Sequence, residues 1–484
     1  MKEFLFVKRG ENIFYTGQYV YEDENYILIY EGSLSLHGKK LSGEELARWI
    51  AKNENLSELD GLYSLIFYSK KTQTVIATQD VFSYCHSLYF TQTQDGIIVS
   101  LQLRRLIVET GAQAQMDDKH IAEFLYNGFL TDDRCLVKGV KKIPAMHVLQ
   151  YNCKTGEWHY KKKYYMRSDV LKGECYCDWV QPVFEDVLTQ TAEINMALSS
   201  GYDSNLLLHM AAKHNPNCKI HAFCIGSCDG QDETESVKEI CKEYPQVELT
   251  VCKVTPDILQ AFPQIVYELE DNIFERGIFL QYLLAESLKQ YGEYPILLGE
   301  GADQLLSVHF NTNAEPYYFV GKEDHYPWVY YPYEMLTYII LKKNGIFLRN
   351  RDMQTKYPFI TKEFISGVQR FRKENGTDKT HYKQYIKACV SERVAQRLIK
   401  RPGSTNLSSL FDDSNIDRLF TAAKNSRFYS MLTKQPDRDS GSEVEKDNCL
   451  KIIYLILFER IFCEGTLTSL QGECCTVRFE DIIS

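Results

Sequence analysis

Two short runs of small and acidic residues have the composition of a site that handles phosphate groups. The first, residues 198–204, reads Leu-Ser-Ser-Gly-Tyr-Asp-Ser between an apolar run and an amphipathic one. This order predicts a strand, a loop and a helix. The first turn of a helix presents unpaired N–H groups and the positive end of its dipole, to which the serine hydroxyls add donors. We therefore expect this loop to bind the phosphates of a nucleotide.

The second run, residues 299–304, reads Gly-Glu-Gly-Ala-Asp-Gln and also follows an apolar stretch. Each run alone also fits a plain strand-to-helix turn without any ligand. Together they place Asp203 and Asp303 at the carboxyl ends of two presumed parallel strands, where open α/β sheets build their ligand clefts. Two carboxylates beside phosphates indicate Mg²⁺.

The two runs resemble the loops of the asparagine synthetase family, which read Ser-Gly-Gly-x-Asp-Ser and Ser-Gly-Glu-Gly-Ala-Asp-Glu. The matching residues are Ser199, Gly201, Asp203, Ser204, Gly299, Glu300, Gly301, Ala302 and Asp303. Ser200 replaces the first loop glycine, and Leu298 and Gln304 replace the residues that bracket the second run. If that glycine position needs a positive φ, a serine there costs about 1–2 kcal/mol, so we expect a slightly shifted loop.

The resemblance implies an ATP-pyrophosphatase site that converts a carboxylate into an acyl-adenylate and releases pyrophosphate. It implies nucleotide contacts from Leu198, Ser199, Ser200, Gly201, Asp203, Ser204, Ile225 and Gly299. It also implies that Asp203 and Asp303 hold Mg²⁺ and that Glu300 acts as general base toward the incoming amine. The alternative for Glu300 is a hydrogen-bond acceptor that shapes the loop.

A catalytic cation is expected further along the chain, because negative charge develops on the phosphate and on the acyl oxygen. Residues 397–405 look like the basic loop of the same family, and we favour Lys400 as this cation, with Arg401 close behind. A basic helix end at the negative end of a helix dipole explains the same residues almost as well.

The chain of 484 residues is long enough for two or three domains. Residues 1–165 contain short alternating apolar runs, which predict a β-rich layer with few helices. This part resembles the glutaminase domain of the family, an Ntn-like αββα sandwich. In residues 166–484 strands alternate with helices, which predicts an α/β domain with a parallel sheet. The resemblance makes this an ATP-pyrophosphatase domain, and a helical C-terminal part follows it.

The glutaminase half departs from its family. There the nucleophile is a cysteine exposed as the mature N-terminus, whose α-amine acts as the local base; here residue 2 is Lys, and Cys85 lies far from the start. The recognition motifs differ too, since residues 31–33 read Glu-Gly-Ser and residues 79–83 read Gln-Asp-Val-Phe-Ser. We expect a degenerate domain without glutaminase activity.

Without glutamine hydrolysis, the amine is either free ammonia or an amine of the substrate itself. The second option is the more economical, and the chain resembles the branch that includes lasso-peptide macrolactam cyclases and β-lactam synthetases. The lactam synthetases carry a tyrosine where Glu300 stands, which counts against a β-lactam product. We therefore favour lactam or macrolactam closure on a peptide acid, with a precursor peptide and a protease as expected partners.

Two alternatives remain open: ammonia-dependent amidation of aspartate or another acid, and a non-catalytic scaffold. An aromatic stretch at residues 317–333 suggests a groove of peptide size, and a plain packing surface explains it equally well.

The overall composition narrows the class of protein. The net charge of −10 argues against a general nucleic-acid surface. The first residues lack a signal-peptide core, and the longest apolar stretch, 452–462, is interrupted by Glu459 and Arg460. We expect a cytoplasmic protein without a membrane span. The 15 cysteines lack zinc-ligand spacing and are better explained as small buried hydrophobic residues.

Overall fold

The computed structural model describes residues 3–53, 56–84, 86–163, 175–188, 191–227, 233–307, 336–375, 379–398, 411, 415–432, 436, 443–472 and 474–483. The first part of the chain is built mainly of strands: β1 Leu5–Arg9, β2 Asn12–Thr16, β3 Tyr19–Glu22, β4 Tyr26–Leu36, β5 Leu59–Ser69, β6 Thr74–Gln79, β7 Tyr89–Thr93, β8 Gly96–Ser100, β9 Lys141–Lys142, β10 His147–Asn152 and β11 Trp158–Lys162. They form two antiparallel sheets, ordered β2-β1-β8-β7-β9 and β11-β10-β6-β5-β4-β3.

The two sheets pack face to face because their strands alternate apolar side chains toward a shared core. Phe6 and Val99 of the first sheet meet Ile29 and Ile66 of the second in one buried cluster. Three helices lie on the outer faces: α1 Gly43–Lys52, α2 Leu103–Thr110 and α3 Asp118–Asn127. Helix α1 covers the six-stranded sheet, and α2 and α3 cover the other. The predicted αββα sandwich is confirmed.

The second part of the chain contains a parallel sheet with crossover helices. Its strands are β12 Glu193–Ala197, β13 Lys219–Gly226, β14 Val247–Lys253, β15 Ile296–Leu297 and β16 Thr355–Lys356. The sheet order is β14-β13-β12-β15-β16. The helices among them are α4 Tyr176–Leu188, α5 Tyr202–His214, α6 Thr234–Cys241, α7 Phe262–Leu269, α8 Gly277–Leu288 and α9 Ala302–Ser307. Strands β12 and β15 are neighbours, so the loops that follow them leave the same edge of the sheet.

The rest of the described chain is helical, as the sequence predicts. It contains α10 Leu341–Asn350, α11 Lys362–Asn375, α12 Lys379–Cys389, α13 Glu392–Arg397, α14 Ile416–Asn425, α15 Glu443–Phe458, α16 Leu467–Gln471 and α17 Glu480–Ile483. The apolar stretch at 452–462 belongs to α15, which begins earlier and continues in the π turn Glu459–Cys463. Within the described ranges, every helix is too short or too polar to cross a membrane. The domain boundary expected at 165/166 lies outside the described residues.

Helices α4 and α11 pack closely at Gly367, and this contact gives a first prediction. A Cβ atom at position 367 would lie 2.1 Å from Cδ2 of the buried Trp179 ring. We expect Gly367→Ala to lower the free energy of unfolding by about 1–3 kcal/mol, because the ring has little room to move in a packed core.

Denaturant unfolding measures this effect, and Gly292→Ala is the matched control. The nearest atom to a Cβ at position 292 is 3.5 Å away, and its φ of −61° suits alanine. The control is expected to change stability by no more than about 0.5 kcal/mol. Equal stability of the two variants would contradict the close packing.

Candidate active site

The loop between β12 and α5 is a compact turn held by its own serines. The N–H of Leu198 donates to the carbonyl of Phe223 at 2.8 Å, so strand pairing continues one residue past β12. The hydroxyl of Ser199 accepts the N–H of Gly201 at 3.0 Å and lies 3.1 Å from the hydroxyl of Ser204. These bonds fix the path of the backbone into the first turn of α5.

Ser200 takes the place of the first glycine of the loop motif without a left-handed backbone. It is not among the residues with positive φ, so the strain expected at this position does not arise. Its N–H and its hydroxyl both donate to Oε2 of Glu233, at 2.8 and 2.6 Å. Glu233 precedes α6 and was not selected from the sequence. Ser200 therefore ties the loop to the start of α6.

The second loop touches the first. A Cβ atom at Gly299 would lie 3.7 Å from Cβ of Asp203 and 3.6 Å from the backbone nitrogen of Ser204. Gly301 has a φ of +103°, a conformation that favours glycine, and it lies against Ile360. Ile225, at the end of β13, lies on the strand next to β12. The two runs singled out from the sequence thus form one surface at the carboxyl edge of the sheet.

Helix α12 adds two side chains to this surface. Asp203 lies in the first turn of α5 and Asp303 in the first turn of α9. Lys379 forms an ion pair with Asp303. The buried phenol of Tyr382 has a pKa well above its usual value because of its burial and the charges of Asp203 and Asp303. Sequence reasoning missed both α12 residues, because a lysine and a tyrosine near a helix start are too common to carry a signal.

The two aspartates fit a hard divalent cation. Asp203 lies against the second loop at Gly299, and Asp303 lies in the first turn of the helix that follows that loop. The described residues contain no group of three or more His, Cys, Asp or Glu that would form a complete metal cage. Mg²⁺ commonly takes only one or two protein carboxylates and completes its shell with water and phosphate oxygens. Asp203 and Asp303 match that pattern.

Glu300 follows Gly299 in the second loop, and its side chain is held by helix α10. The side-chain N–H of Asn344 donates to Oε1 of Glu300. Burial raises the pKa of Glu300, and a hydrogen bond from its own backbone N–H, the nearby Lys343 ammonium and the Asn344 bond offset part of that shift. A carboxylate with a raised pKa holds a proton more readily than a free one, which suits a general base.

Helix α10 also reaches the first domain. Arg349 forms an ion pair with the buried Glu31, and the side chain of Asn350 bonds to His86 at 3.0 Å. The side chain of Gln79 is also hydrogen-bonded within the protein. Its N–H groups donate to the Ser64 hydroxyl and the His86 carbonyl, and its oxygen accepts the N–H of Leu88. The motif positions that differ from the glutaminase family therefore have structural partners within the protein.

Other residues selected from the sequence lie outside the described residues. These are Lys400 and Arg401, the aromatic stretch at 317–333, and Cys85.

The chain contains an αββα sandwich, followed by a parallel sheet whose two strand-end loops touch. These features define a two-domain α/β protein, and its first domain is of the amidotransferase type. The profile of the family described as Asparagine synthase matches residues 184–334, and that of the Glutamine amidotransferase domain matches residues 46–165. The chain thus contains a region that matches the Asparagine synthase model, preceded by a region that matches the Glutamine amidotransferase domain model.

Individual relatives are distant. An asparagine synthetase (glutamine-hydrolyzing) of Triphysaria versicolor is 23% identical over 334 residues, which cover 65% of this chain and 50% of the relative. Asparagine synthetase (glutamine-hydrolyzing) 1 of Arabidopsis thaliana is 25% identical over 179 residues, 35% of this chain and 30% of the relative. The chain thus spans at most about half the length of these two curated relatives.

One solved structure, a glutamine-dependent NAD⁺ synthetase from Acinetobacter baumannii in complex with ADP, matches 77% of this chain and 65% of that one at 13% identity. Its TM-score of 0.25 does not establish a common fold.

Proposed function

We propose that this protein is an ATP-dependent ligase that forms an amide bond through an acyl-adenylate. The observation that carries the proposal is the contact between the two strand-end loops, which brings Asp203, Asp303 and Glu300 to one edge of the parallel sheet. A metal-binding pair and a base beside a helix N-terminus are the parts that adenylation and aminolysis need. The match of residues 184–334 to the Asparagine synthase model supports the same chemistry.

The proposed reaction has two steps. In the first, a carboxylate oxygen of the substrate bonds to the α-phosphorus of ATP, and the bond to pyrophosphate breaks. In the second, an amine nitrogen bonds to the acyl carbon, AMP leaves, and Glu300 takes the proton that the nitrogen loses. Mg²⁺ held by Asp203 and Asp303 would supply charge neutralisation for the phosphates.

The loop residues position the nucleotide in this proposal. The backbone at Leu198, Ser199, Gly201 and Ser204 shapes the phosphate loop, and Ser200 fixes that loop through Glu233. Gly299 keeps the second loop close to the first, and Ile225, near the end of β13, would contact the adenine of ATP. Lys379 adds positive charge beside Asp303. We propose that Lys400 supplies the positive charge that stabilises the transition state.

For the amine, we propose a source other than glutamine. The partners of Glu31 and Gln79 support this, because Glu31 forms an ion pair and Gln79 forms hydrogen bonds with other residues of the protein. The finer proposal is that amine and carboxylate belong to one substrate, so that a lactam or macrolactam closes. The second candidate is amidation of aspartate by ammonia, favoured by the names of the relatives. A precursor peptide and a protease are not part of the proposal.

Isotope exchange followed by mass analysis tests the function. We expect ATP–pyrophosphate exchange that depends on a carboxylic acid, and AMP as the nucleotide product. A product lighter than its substrate by one water identifies ring closure, whereas exchange of the acid hydroxyl for NH₂ identifies amidation. Formation of ADP, or the lack of exchange with every acid of a broad panel that includes aspartate and peptide acids, would refute the adenylate mechanism.

The base gives a second prediction. We expect Glu300→Gln to slow amide formation about a hundredfold while ATP–pyrophosphate exchange continues, because an amide cannot take the proton. In the unchanged protein, the rate should rise with pH at values above the ordinary carboxyl pKa of 4.5, because burial raises the pKa of Glu300. Single-turnover rates across pH measure both effects. A loss of exchange equal to the loss of amide formation would show that Glu300 shapes the loop instead.

A further inference from the structure

Three cysteines and one tyrosine hydroxyl lie together between the start of α4 and the end of α12. The hydroxyl of Tyr385 donates to the sulfur of Cys175 at 3.0 Å. Burial and hydrogen bonds to the sulfurs of Cys175, Cys177 and Cys389 raise the pKa of Tyr385 well above its usual value. Cys177 and Cys389 also share a hydrogen bond with each other. One hydroxyl thus contacts three thiols, although Cys389 is distant from the other two in the sequence.

The packing of the two helices holds this cluster together. Tyr176 begins α4 next to Cys177, and its ring packs edge-on against Tyr385 with 5.2 Å between the ring centres. Cys389 follows Tyr385 by four residues on α12, so both side chains lie on the same face of that helix. The contact between α4 and α12 therefore brings the thiols of Cys177 and Cys389 to the same place.

The exposure of these thiols suits a chemical modification. Cys175, Cys177 and Cys389 are free and only half-buried, unlike fully buried cysteines such as Cys224 and Cys449. Across the described part of the chain, no three His, Cys, Asp or Glu side chains are arranged to hold a metal ion, these cysteines included. Two neighbouring thiols can instead be joined by oxidation, and such bonds are usually transient and redox-sensing in reducing compartments.

We propose that Cys177 and Cys389 form a redox-modification site, at which peroxide joins them in a disulfide that ties α12 to α4. In the first step the sulfur of Cys389 bonds to one peroxide oxygen, the O–O bond breaks, and the leaving oxygen departs as water with the thiol proton. In the second step the sulfur of Cys177 bonds to the sulfur of Cys389, the S–O bond breaks, and a second water leaves. The two thiols are oxidised, and one hydrogen peroxide is reduced to two waters.

The surroundings of Cys177 set the order of these steps. Burial, the strongest of several causes, raises the pKa of the Cys177 thiol to about 12. The thiolate is the reactive form of cysteine, so the protonated Cys177 is a poor first nucleophile. The first step therefore falls to Cys389, and the bridge should form slowly, over roughly minutes to hours.

The bridge acts on the candidate active site through α12. Lys379 and Tyr382 lie on this helix, near Asp303 and Asp203. A disulfide holds its sulfurs about 2.05 Å apart, closer than hydrogen-bonded thiols, so the end of α12 must move toward α4. The bridge itself is independent of the reaction that the protein catalyses, whereas its effect on adenylation rests on the proposed function.

Peptide mapping of the full chain after peroxide treatment tests the site. Free thiols are blocked with iodoacetamide, and the digest is analysed by mass spectrometry without reduction. We expect a peptide pair joined through Cys177 and Cys389, lighter than its two parts by two hydrogens and separated again by dithiothreitol. A bridge from Cys389 to another cysteine, separate over-oxidation of the two sulfurs, or free thiols at both positions after prolonged treatment would overturn the assignment.

ATP–pyrophosphate exchange measures the consequence for the active site. Exchange should fall about tenfold as the bridge forms, because a displacement of about 1 Å can cost up to about a hundredfold in rate. Dithiothreitol should restore the rate, and Cys389→Ser should keep its rate in peroxide. Cys241→Ser is the matched control, since Cys241 is a half-buried cysteine at the end of α6 whose pKa is raised by burial. This control should lose exchange in peroxide as the unchanged protein does.

The two readouts separate this inference from the proposed function. A mapped bridge in a protein that shows no exchange with any acid would refute the adenylate chemistry and leave the modification site intact. Exchange that continues in peroxide without a bridge would refute the site alone. A mapped bridge with an unchanged exchange rate would overturn the coupling between the bridge and the active site.

Discussion

Replacing Asp203 by asparagine is expected to lower ATP–pyrophosphate exchange by about a thousandfold, at the upper end of the loss for removing one preorganised charge from an active site. Asp203 touches the second loop at Gly299 and lies near Tyr382 together with Asp303. Asparagine keeps the size of the side chain but removes the charge that would hold Mg²⁺. The exchange rate at saturating Mg²⁺ and ATP measures the effect.

Asp257→Asn is the control for this substitution. Asp257 is an exposed acid near the start of the 3₁₀ segment Pro256–Ala261, on another part of the surface. Its exchange rate should stay within about twofold of the unchanged protein, as surface changes usually have small effects. Asp203→Asn with an unchanged exchange rate and an unchanged dependence on Mg²⁺ would refute the role given to this aspartate.

The second large effect is expected at the interface between the two domains. Asp271 is 1% exposed and lies 3.5 Å from the ammonium groups of both Lys142 and Lys342, which are also buried. The Ser87 hydroxyl donates to it at 2.5 Å. Burial alone would raise the pKa of Asp271, but the two ammonium groups and Ser87 more than offset this and hold the pKa well below its usual value.

We expect Asp271→Asn to lower the free energy of unfolding by about 3–5 kcal/mol, because it leaves two buried ammonium groups without their shared counter-charge. Denaturant unfolding at pH 7 measures the loss. The lowered native pKa means that the stabilisation is fully present above the unfolded carboxyl pKa of about 3.9 and is lost as the pH falls toward the native value. The loss of unfolding free energy caused by Asp271→Asn should therefore reach its full size at neutral pH.

An exposed ion pair provides the contrast. Glu235 and Lys238 form a pair at 2.6 Å, but the Glu235 side chain is 82% exposed, so Glu235→Gln should change stability by less than about 1 kcal/mol. Ser87→Ala gives a milder test of the buried cluster, with an expected loss of about 1–3 kcal/mol. If Ser87→Ala and Glu235→Gln were equally stable, the buried cluster would not hold the domains together as argued.

Local patterns in the sequence were enough to predict much of the fold. Alternating apolar residues marked strands such as β4 and β8, and the run from β12 through the serine loop to α5 was predicted in order. Strand β16 was missed because two residues carry no period. The segment 256–269 is a 3₁₀ turn followed by α7, with Pro263 at the helix start, and the sequence pattern does not mark the change between them.

What the sequence determined by itself is the pair of loops, with Asp203, Glu300 and Asp303 at strand ends. A strand, a turn of small residues and a helix start are set by neighbours along the chain, so local propensity and spacing suffice to predict them. The tertiary structure alone decided what surrounds these loops.

Those surrounding residues are Glu233 at Ser200, Lys379 and Tyr382 beside the aspartates, and Asn344 at Glu300. Each of these residues lies in a helix or next to one. Each also contacts a residue that is distant from it in the sequence. Such contacts depend on how helices pack against the sheet and each other, and a side chain on one helix face carries no local signal of its partner. The loops thus follow from local order along the chain, and the groups that tune them follow from packing.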